Sequence, residues 1–286
     1  MQQNTLMAVI DPTRDDQIAL AKAQQIAATT GAAVHAFCCC YLPAEAMGQY
    51  SSKAEAKQAT LADIRSKLES LTAPLRQQNI PVTTEAYWNE RWYESVIQAC
   101  ARSGADLLIK STRPHSRLQR ALSATSDYVM LRQAPCPVLL VRSEKPWRQR
   151  RILAAVTLEQ EDREHELLNT AIVTRAQRLA RSAGAELHLV SASPEVANLA
   201  QILKLLDDDA GGDSQTLIGN RYGVPAEQVH LEQGQARTVI AEAVKRLAPD
   251  VLVMGTTARR GLTGVLLGNT AEKVLDAVDV DTLVVS

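Results

Sequence analysis

Asp250-Val-Leu-Val-Met-Gly-Thr-Thr-Ala-Arg-Arg-Gly-Leu-Thr-Gly-Val-Leu-Leu-Gly-Asn-Thr-Ala-Glu-Lys-Val-Leu275, continued by Asp276-Ala-Val-Asp-Val-Asp-Thr-Leu-Val-Val-Ser286, is the stretch that decides the fold. Val251 to Met254 is an unbroken apolar run of strand length, and Gly255 to Gly268 is a glycine-bearing loop. Asn269 or Thr270 is placed to cap a helix beginning at about Ala271. Thr282 to Val285 closes the unit as a second buried strand.

Moving the same window back by 144 residues finds a copy at Ala105 to Arg142, without a gap. Asp106 falls on Asp250, Leu107 to Ile109 on Val251 to Val253, Leu131 on Leu275, and Val138 to Val141 on Thr282 to Val285. The chain is therefore an internal duplication. Its apolar frame is kept, but Gly255, Gly261, Gly264 and Gly268 correspond to Ser111, Arg117, Arg120 and Ala124. A glycine is required where the backbone takes positive φ or a ligand comes close, so a ligand loop is expected in the second copy rather than the first.

Around these two anchors the apolar runs alternate with helical periodicity. In the first half, strands are expected at Leu6–Ile10, Val34–Tyr41, Val82–Tyr87, from Leu107, and at Val138–Val141. Between them lie a helix opened by Asp15-Asp16 and stopped at Gly31, a long one at Ala54–Gln77, another at Tyr93–Ala101, and Asp127–Gln133. The second half repeats the order through Ile152–Val156, His165–Ser182, Glu186–Val190, Val229–Glu232 and Thr238–Leu247. Strands separated by helices call for parallel sheets with right-handed crossovers. The expected fold is α/β: two tandem doubly wound units, each with a five-stranded parallel sheet in the order 3-2-1-4-5. Residues 1–143 form the first unit, 144–150 a linker around Pro146 and Trp147, and 151–286 the second unit.

Bulk properties narrow the function. A formal net charge of -1, roughly +3 in the first half and roughly -4 in the second, gives no reason to expect nucleic acid or an anionic membrane as partner. No apolar run approaches the ~18 residues of a spanning helix, and no charged n-region with an apolar core opens the chain, so a cytoplasmic protein is expected. The five cysteines fit a reducing compartment: Cys38, Cys39 and Cys40 are consecutive on a strand, and Cys100 and Cys136 stand isolated in apolar surroundings. They read as buried thiols, with redox sensing as the alternative. His35, His115, His165, His188 and His230 show no ligand spacing. Asp207-Asp208-Asp209 with Asp213 lacks the alternating ligands and closing Glu of an EF-hand, and reads as an acidic loop without a metal.

In an open doubly wound sheet, ligands bind beyond the carboxyl ends of the strands where the order reverses. That crevice brings Thr157 to Gly255 in the second unit, and Asp11 to Ser111 in the first. Glycines after the fourth strand turn backbone N–H groups outward, and the following helix adds free N–H groups with about half a positive charge. Ala258, Arg259, Gly268, Asn269 and Thr270 complete the second-unit site; Arg113 completes the first-unit crevice. A turn that only packs is the alternative.

A strand, Gly255, the interval ending Leu266-Leu267-Gly268, and Ala271-Glu-Lys-Val-Leu275 resemble the nucleotide-binding signature of the universal stress protein family. Ala8-Val-Ile-Asp11 and Ala134-Pro-Cys-Pro-Val-Leu-Leu-Val141 resemble that family's opening and ending in the first half. The resemblance covers nearly the whole chain and is greatest to tandem, E-type bacterial members. It implies the fold above, a role in stress response, and ATP or AMP binding as in some members. It also implies pairing through the fifth strands, as a pseudo-dimer of the two units or as a homodimer. The family's ATP pattern has glycine where this chain has Ala258, a hydroxyl where it has Asn269, and an Asp after strand one where it has Thr157. Asp11 supplies that Asp in the half without the glycine loop.

The expectation is a non-catalytic stress protein taking a small phosphorylated ligand in the second unit. A nucleotide-independent scaffold is the first alternative. The second is an amphiphile carried in the first unit beside Lys110, Arg113, Arg117 and Arg120. An ATP hydrolase or adenylating enzyme finds no P-loop, no paired carboxylates at the loop and no nucleophile with its base.

Overall fold

β1 (Thr5–Ile10) is buried along all but its first residue, because parallel strands on both sides and helices on both faces leave it no contact with water. The computed structural model describes residues 4–112, 127–158, 163–193, 213–256, 259–261, 264–266 and 269–286. The chain divides into two compact units, Met1–Pro146 and Trp147–Ser286.

In the first unit β1 lies between β2 (Ala33–Cys40) and β4 (Leu107–Ser111). β3 (Val82–Trp88) pairs with β2 and β5 (Val138–Val141) with β4, all parallel. The order is therefore 3-2-1-4-5. The crossovers carry α1 (Ile18–Thr30), α2 (Lys53–Gln77), α3 (Trp92–Ser103) and α4, described over 127–133.

Local chemistry sets the ends of these helices. α1 stops where Gly31 takes φ 69° and returns its N–H to Ala27 O at 2.8 Å. α3 stops where Gly104 takes φ 62°, with the Ala105 N–H reaching back to Cys100 O at 3.2 Å. α2 opens on a reciprocal cap, in which Ser52 Oγ accepts from Glu55 N at 3.1 Å and Glu55 Oε2 accepts from Ser51 N at 2.8 Å. The expectation that Asp15-Asp16 open α1 needs correcting. Both stay exposed before the helix, which begins after Gln17, whose side chain is engaged with the loop behind it.

The second unit repeats the plan. β6 (Arg151–Ala155) lies between β7 (Glu186–Ser193) and β9 (Val251–Gly255), β8 (Val229–Gln233) pairs with β7, and β12 (Asp281–Val285) with β9. The order is again 3-2-1-4-5. Even the register repeats: Leu6 opposite Leu107 in the first unit becomes Ile152 opposite Val251 in the second. The helices are α5 (Arg163–Ala183), α6 (Ser214–Tyr222), α7 (Ala236–Leu247) and α8 (Asn269–Leu275). β7 runs three residues beyond the expected end at Val190, because β8 pairs with it as far as Ser193.

The cores are aliphatic, as one phenylalanine in the whole chain requires. Met7, Phe37, Leu108, Ile109 and Leu139 fill the first, and Ile152, Leu153, Leu189 and Val251 to Val253 the second. The aspartate heading each repeated stretch has a structural role. Asp106 Oδ2 accepts from Thr5 N at 2.9 Å, and the Asp250 carboxylate accepts from the N–H groups of Arg148, Gln149 and Arg150 at 2.9, 3.1 and 2.7 Å. Each moors the chain just before its unit's first strand.

Two sequence expectations change here. Cys100 and Cys136 are not isolated, since their sulfurs lie 3.2 Å apart. Asp207, Asp208 and Asp209 fall outside the described residues, while Asp213 caps α6 by accepting from Thr216 N at 2.9 Å, which lowers its carboxyl pKa.

Candidate functional site

The crevice of the second unit is framed by the carboxyl ends of β6 and β9. Thr157 follows β6, and its backbone is held at both valences by one side chain: Asn169 Oδ1 accepts from Thr157 N at 3.1 Å and Asn169 Nδ2 donates to Thr157 O at 2.6 Å. Asn169 belongs to α5 and is buried, so the latch is fixed from inside. The Thr157 side chain is exposed.

Gly255 ends β9, and helix packing accounts for its lack of a side chain. A Cβ there would lie 2.7 Å from Leu168 Cδ2, 2.8 Å from Leu168 Cγ and 2.9 Å from Ile172 Cδ1, all on α5. Its φ is outside the left-handed region. On the side where a side chain would project, Leu168 and Ile172 occupy the space.

Beyond it the loop contains an antiparallel hairpin, β10 (Arg259–Gly261) with β11 (Gly264–Leu266), which the sequence reading did not anticipate. Arg259 faces Leu266, and Gly261 faces Gly264. Asn269 and Thr270 form the first turn of α8 rather than preceding it, because the helix begins at Asn269. The Thr270 side chain is exposed. Ala258 and Gly268 lie outside the described residues.

The floor of the crevice was not anticipated either. Val156 N donates to Val190 O at 3.0 Å, so Ser191, the next residue of β7, lies beside the Thr157 loop. Ser191 and Ser193 are buried, and Ser191 Oγ has no hydrogen-bond partner among the described residues. By the β1–β2 and β6–β7 registers the first unit carries Cys38 and Cys40 at these positions. The alternation of Ser191 and Ser193 on one face of a strand was the available sequence signal.

The first-unit crevice is tied up by its own side chains. Gln17 latches Asp11 as Asn169 latches Thr157, accepting from Asp11 N at 3.1 Å and donating to Asp11 O at 2.8 Å. The Asp11 carboxylate turns back to accept from Thr13 N at 2.9 Å and Thr13 Oγ1 at 2.6 Å. Lys67 of α2 crosses the loop to the carbonyls of Pro12 and Arg14 at 3.3 and 2.8 Å. Beneath it, burial first and then its neighbouring thiols push Cys38 up to about 12, so this floor is a neutral thiol.

Ser111 ends β4, and its carbonyl accepts from Lys110 Nζ at 3.0 Å. Lys110 also pairs with Asp127 at 2.9 Å and lies 5.5 Å from the centroid of the Trp92 ring. Of the cations expected to rim an apolar crevice, Lys110 is paired within its own unit. Arg113, Arg117 and Arg120 lie outside the described residues.

His35 lies on the second strand of the first unit, His188 and His230 on the second and third strands of the second, and His165 on α5; His115 lies outside the described residues. His35 meets Thr83 at 2.8 Å and Glu85 at 3.3 Å. His188 Nδ1 and His230 Nε2 are 3.1 Å apart, with ring centroids at 5.4 Å and planes 13° apart. Those three values place the imidazoles edge to edge, sharing one proton, rather than face to face. Burial lowers the pKa of all three. No group of three metal-ligating side chains occurs among the described residues, and no described helix is long and apolar enough to cross a membrane.

Two repeated doubly wound units with a glycine loop after the fourth strand of the second define a class of fold, and comparison with known proteins gives the family. The model of the universal stress protein family matches residues 4–142 and 150–286. Universal stress protein E of Escherichia coli K12 is 30% identical over 299 residues, covering 100% of this chain and 94% of the relative. The crystal structure of a functionally unknown protein from Pseudomonas aeruginosa PAO1 is 32% identical with a TM-score of 0.76, covering 99% of this chain and 92% of that one. A universal stress protein from Archaeoglobus fulgidus shares the fold at 14% identity, with a TM-score of 0.70 and coverage of 99% and 96%. The chain belongs to the universal stress protein family, as a tandem member.

Proposed function

We propose that the chain is a non-catalytic stress-response protein whose second unit takes a small phosphorylated ligand, with ATP or AMP as the first candidates, and whose first unit is structural. The contrast between the two crevices carries this reading. In the first, Lys67, Asp11, Lys110 and Asp127 are spent on one another or on the backbone. In the second, the buried Ser191 hydroxyl beside the Thr157 loop has no hydrogen-bond partner among the described residues, and the loop after β9 carries glycines. A buried hydroxyl without a hydrogen bond costs about 1–3 kcal/mol, which a polar ligand would recover.

The residues fit a nucleotide unevenly. Leu168 and Ile172 fill the side-chain direction at Gly255, and Thr157 brings a hydroxyl where the family pattern has a carboxylate. The Ser191 hydroxyl and the backbone N–H groups of the loop remain to hold a phosphate or sugar oxygen. Five buried, unpaired cysteines support residence in the cytoplasm.

The test is to denature freshly purified protein, identify released nucleotides by chromatography and mass spectrometry, and titrate the stripped protein with ATP, ADP and AMP by calorimetry. One ligand per chain, lost in Gly268→Trp and weakened in Ser191→Val, supports the reading. No release and no heat would overturn it.

Ala258, Asn269 and Thr157, where the chain departs from the family's ATP pattern, favour a second reading, a nucleotide-independent interaction scaffold. Ligand at a hundred times its Kd stabilises by about 2.7 kcal/mol. A Tm insensitive to millimolar ATP would favour the scaffold.

A further inference from the structure

Cys100 and Cys136 are 36 positions apart in sequence and belong to different elements, yet their sulfurs lie 3.2 Å apart in the interior of the first unit. Both positions are firmly held. The Cys100 carbonyl accepts from Ala105 N at 3.2 Å at the end of α3, and Leu108 N donates to Pro137 O at 3.0 Å, which pins the residue after Cys136 against β4. Cys100 is fully buried, whereas Cys136 keeps 8% of its surface exposed.

Packing alone does not require this pair. The 144-residue repeat places Val244 and Val280 at the corresponding positions of the second unit, so the shared fold accepts an aliphatic pair there. The remaining thiols behave differently. Cys39 and Cys40 contact the backbone carbonyls of Asn89 and Tyr87 at 3.4 and 3.5 Å. Burial raises the pKa of Cys38, Cys39 and Cys40. The hydrogen bond between the two sulfurs instead holds Cys100 below the ordinary thiol range and Cys136 above it.

We propose that Cys100 and Cys136 form a reversible disulfide site, closed by a small hydroperoxide and reopened by a dithiol reductant. The Cys100 sulfur attacks one peroxide oxygen, the O–O bond breaks, and the alcohol or water leaves with the thiol proton. The resulting sulfenic acid is attacked by the Cys136 sulfur, which forms the S–S bond and releases water. In sum the two thiols lose two hydrogens and two electrons, and the peroxide is reduced by two electrons. Bonding brings the sulfurs from 3.2 Å to about 2.05 Å. The link ties the end of α3 to the segment leading into β5, across the stretch that carries Lys110 and Ser111.

The experiment uses the full-length protein, fully reduced and then treated with hydrogen peroxide. It is quenched by denaturing in N-ethylmaleimide and followed by intact mass and tryptic mapping. The expected result is loss of two hydrogens, alkylation of three of the five thiols, and a linked pair of peptides 92–102 and 133–142, all reversed by dithiothreitol. Cys136→Val, which takes the residue of the second unit, should abolish the linked pair. Five alkylated thiols after peroxide, oxygen retained on Cys100 or Cys136 of the native chain, or a link through Cys38 to Cys40 would each overturn the proposal.

Discussion

Substituting Gly255→Ala tests whether that glycine exists for α5 or for a ligand. The new methyl would meet three carbon atoms at 2.7, 2.8 and 2.9 Å, where unstrained carbons sit about 3.5–4.0 Å apart. One of the three is the branch carbon of Leu168, so the relief must come from moving a whole side chain. Overpacking of this kind costs about 1–3 kcal/mol, and alanine returns about 0.4–1 kcal/mol by restricting the unfolded chain. A net loss of about 1–2 kcal/mol is expected, corresponding to a fall in Tm of about 3–8 °C. The assay is urea and thermal denaturation of Gly255→Ala, Leu168→Ala and the double variant without ligand. Removing the Leu168 side chain should absorb the strain and give a coupling of at least about 1 kcal/mol. Unchanged stability in Gly255→Ala with additive energies would refute the packing argument and return the glycine to a ligand.

Three further outcomes follow from contacts described above. Asn169→Ala should cost about 1–3 kcal/mol in urea denaturation, since two neutral hydrogen bonds to Thr157 are lost, and amide exchange at Thr157 should quicken. Lys110→Met leaves Asp127 charged and largely buried, at a cost of about 3–5 kcal/mol; Lys110→Met with Asp127→Leu should recover most of it. His35, His188 and His230 have pKa values lowered by burial, so below about 6.5 the unfolded chain takes up protons that the native one resists. Stability should therefore be fully present above that pH and fall as the pH drops towards the native values. The slope is at most about 1.4 kcal/mol per pH unit for each histidine. Glu85, Glu186 and Glu232 oppose the shift and Arg102, Arg151 and Arg246 reinforce it. A urea midpoint that stays level from pH 7 to 5.5, or a fall no shallower in His188→Gln, would count against this.

Apolar runs, glycine stops and the 144-residue repeat made the strands, the helices and the two units legible, because each is a local or periodic signal; the strand order came from the precedent of doubly wound folds. What the sequence hid depends on contacts at a distance. A glycine reads alike whether it makes room for a turn, a phosphate or a leucine, so the contact that a side chain at Gly255 would make with Leu168 was not legible. Lys110 resembled a free cation because Asp127 and Trp92 reach it only through the fold. Cys100 and Cys136 looked isolated because pairing of β4 with β5 is what brings them together. The residues offered for the second site were Thr157 and the loop after β9; Asn169 and Ser191, on α5 and β7, became visible only when those elements met the Thr157 loop.

The amide latches carry one more consequence. Gln17 is six residues after the backbone it clamps, and Asn169 is twelve after Thr157. The same bracing is thus supplied from positions that do not align. A chimera that grafts the Asp11 loop into the second unit by matching sequence positions would separate that loop from its brace. To remain ordered, the transplanted piece must extend through Gln17, which makes the exchangeable part the loop together with the start of the helix behind it.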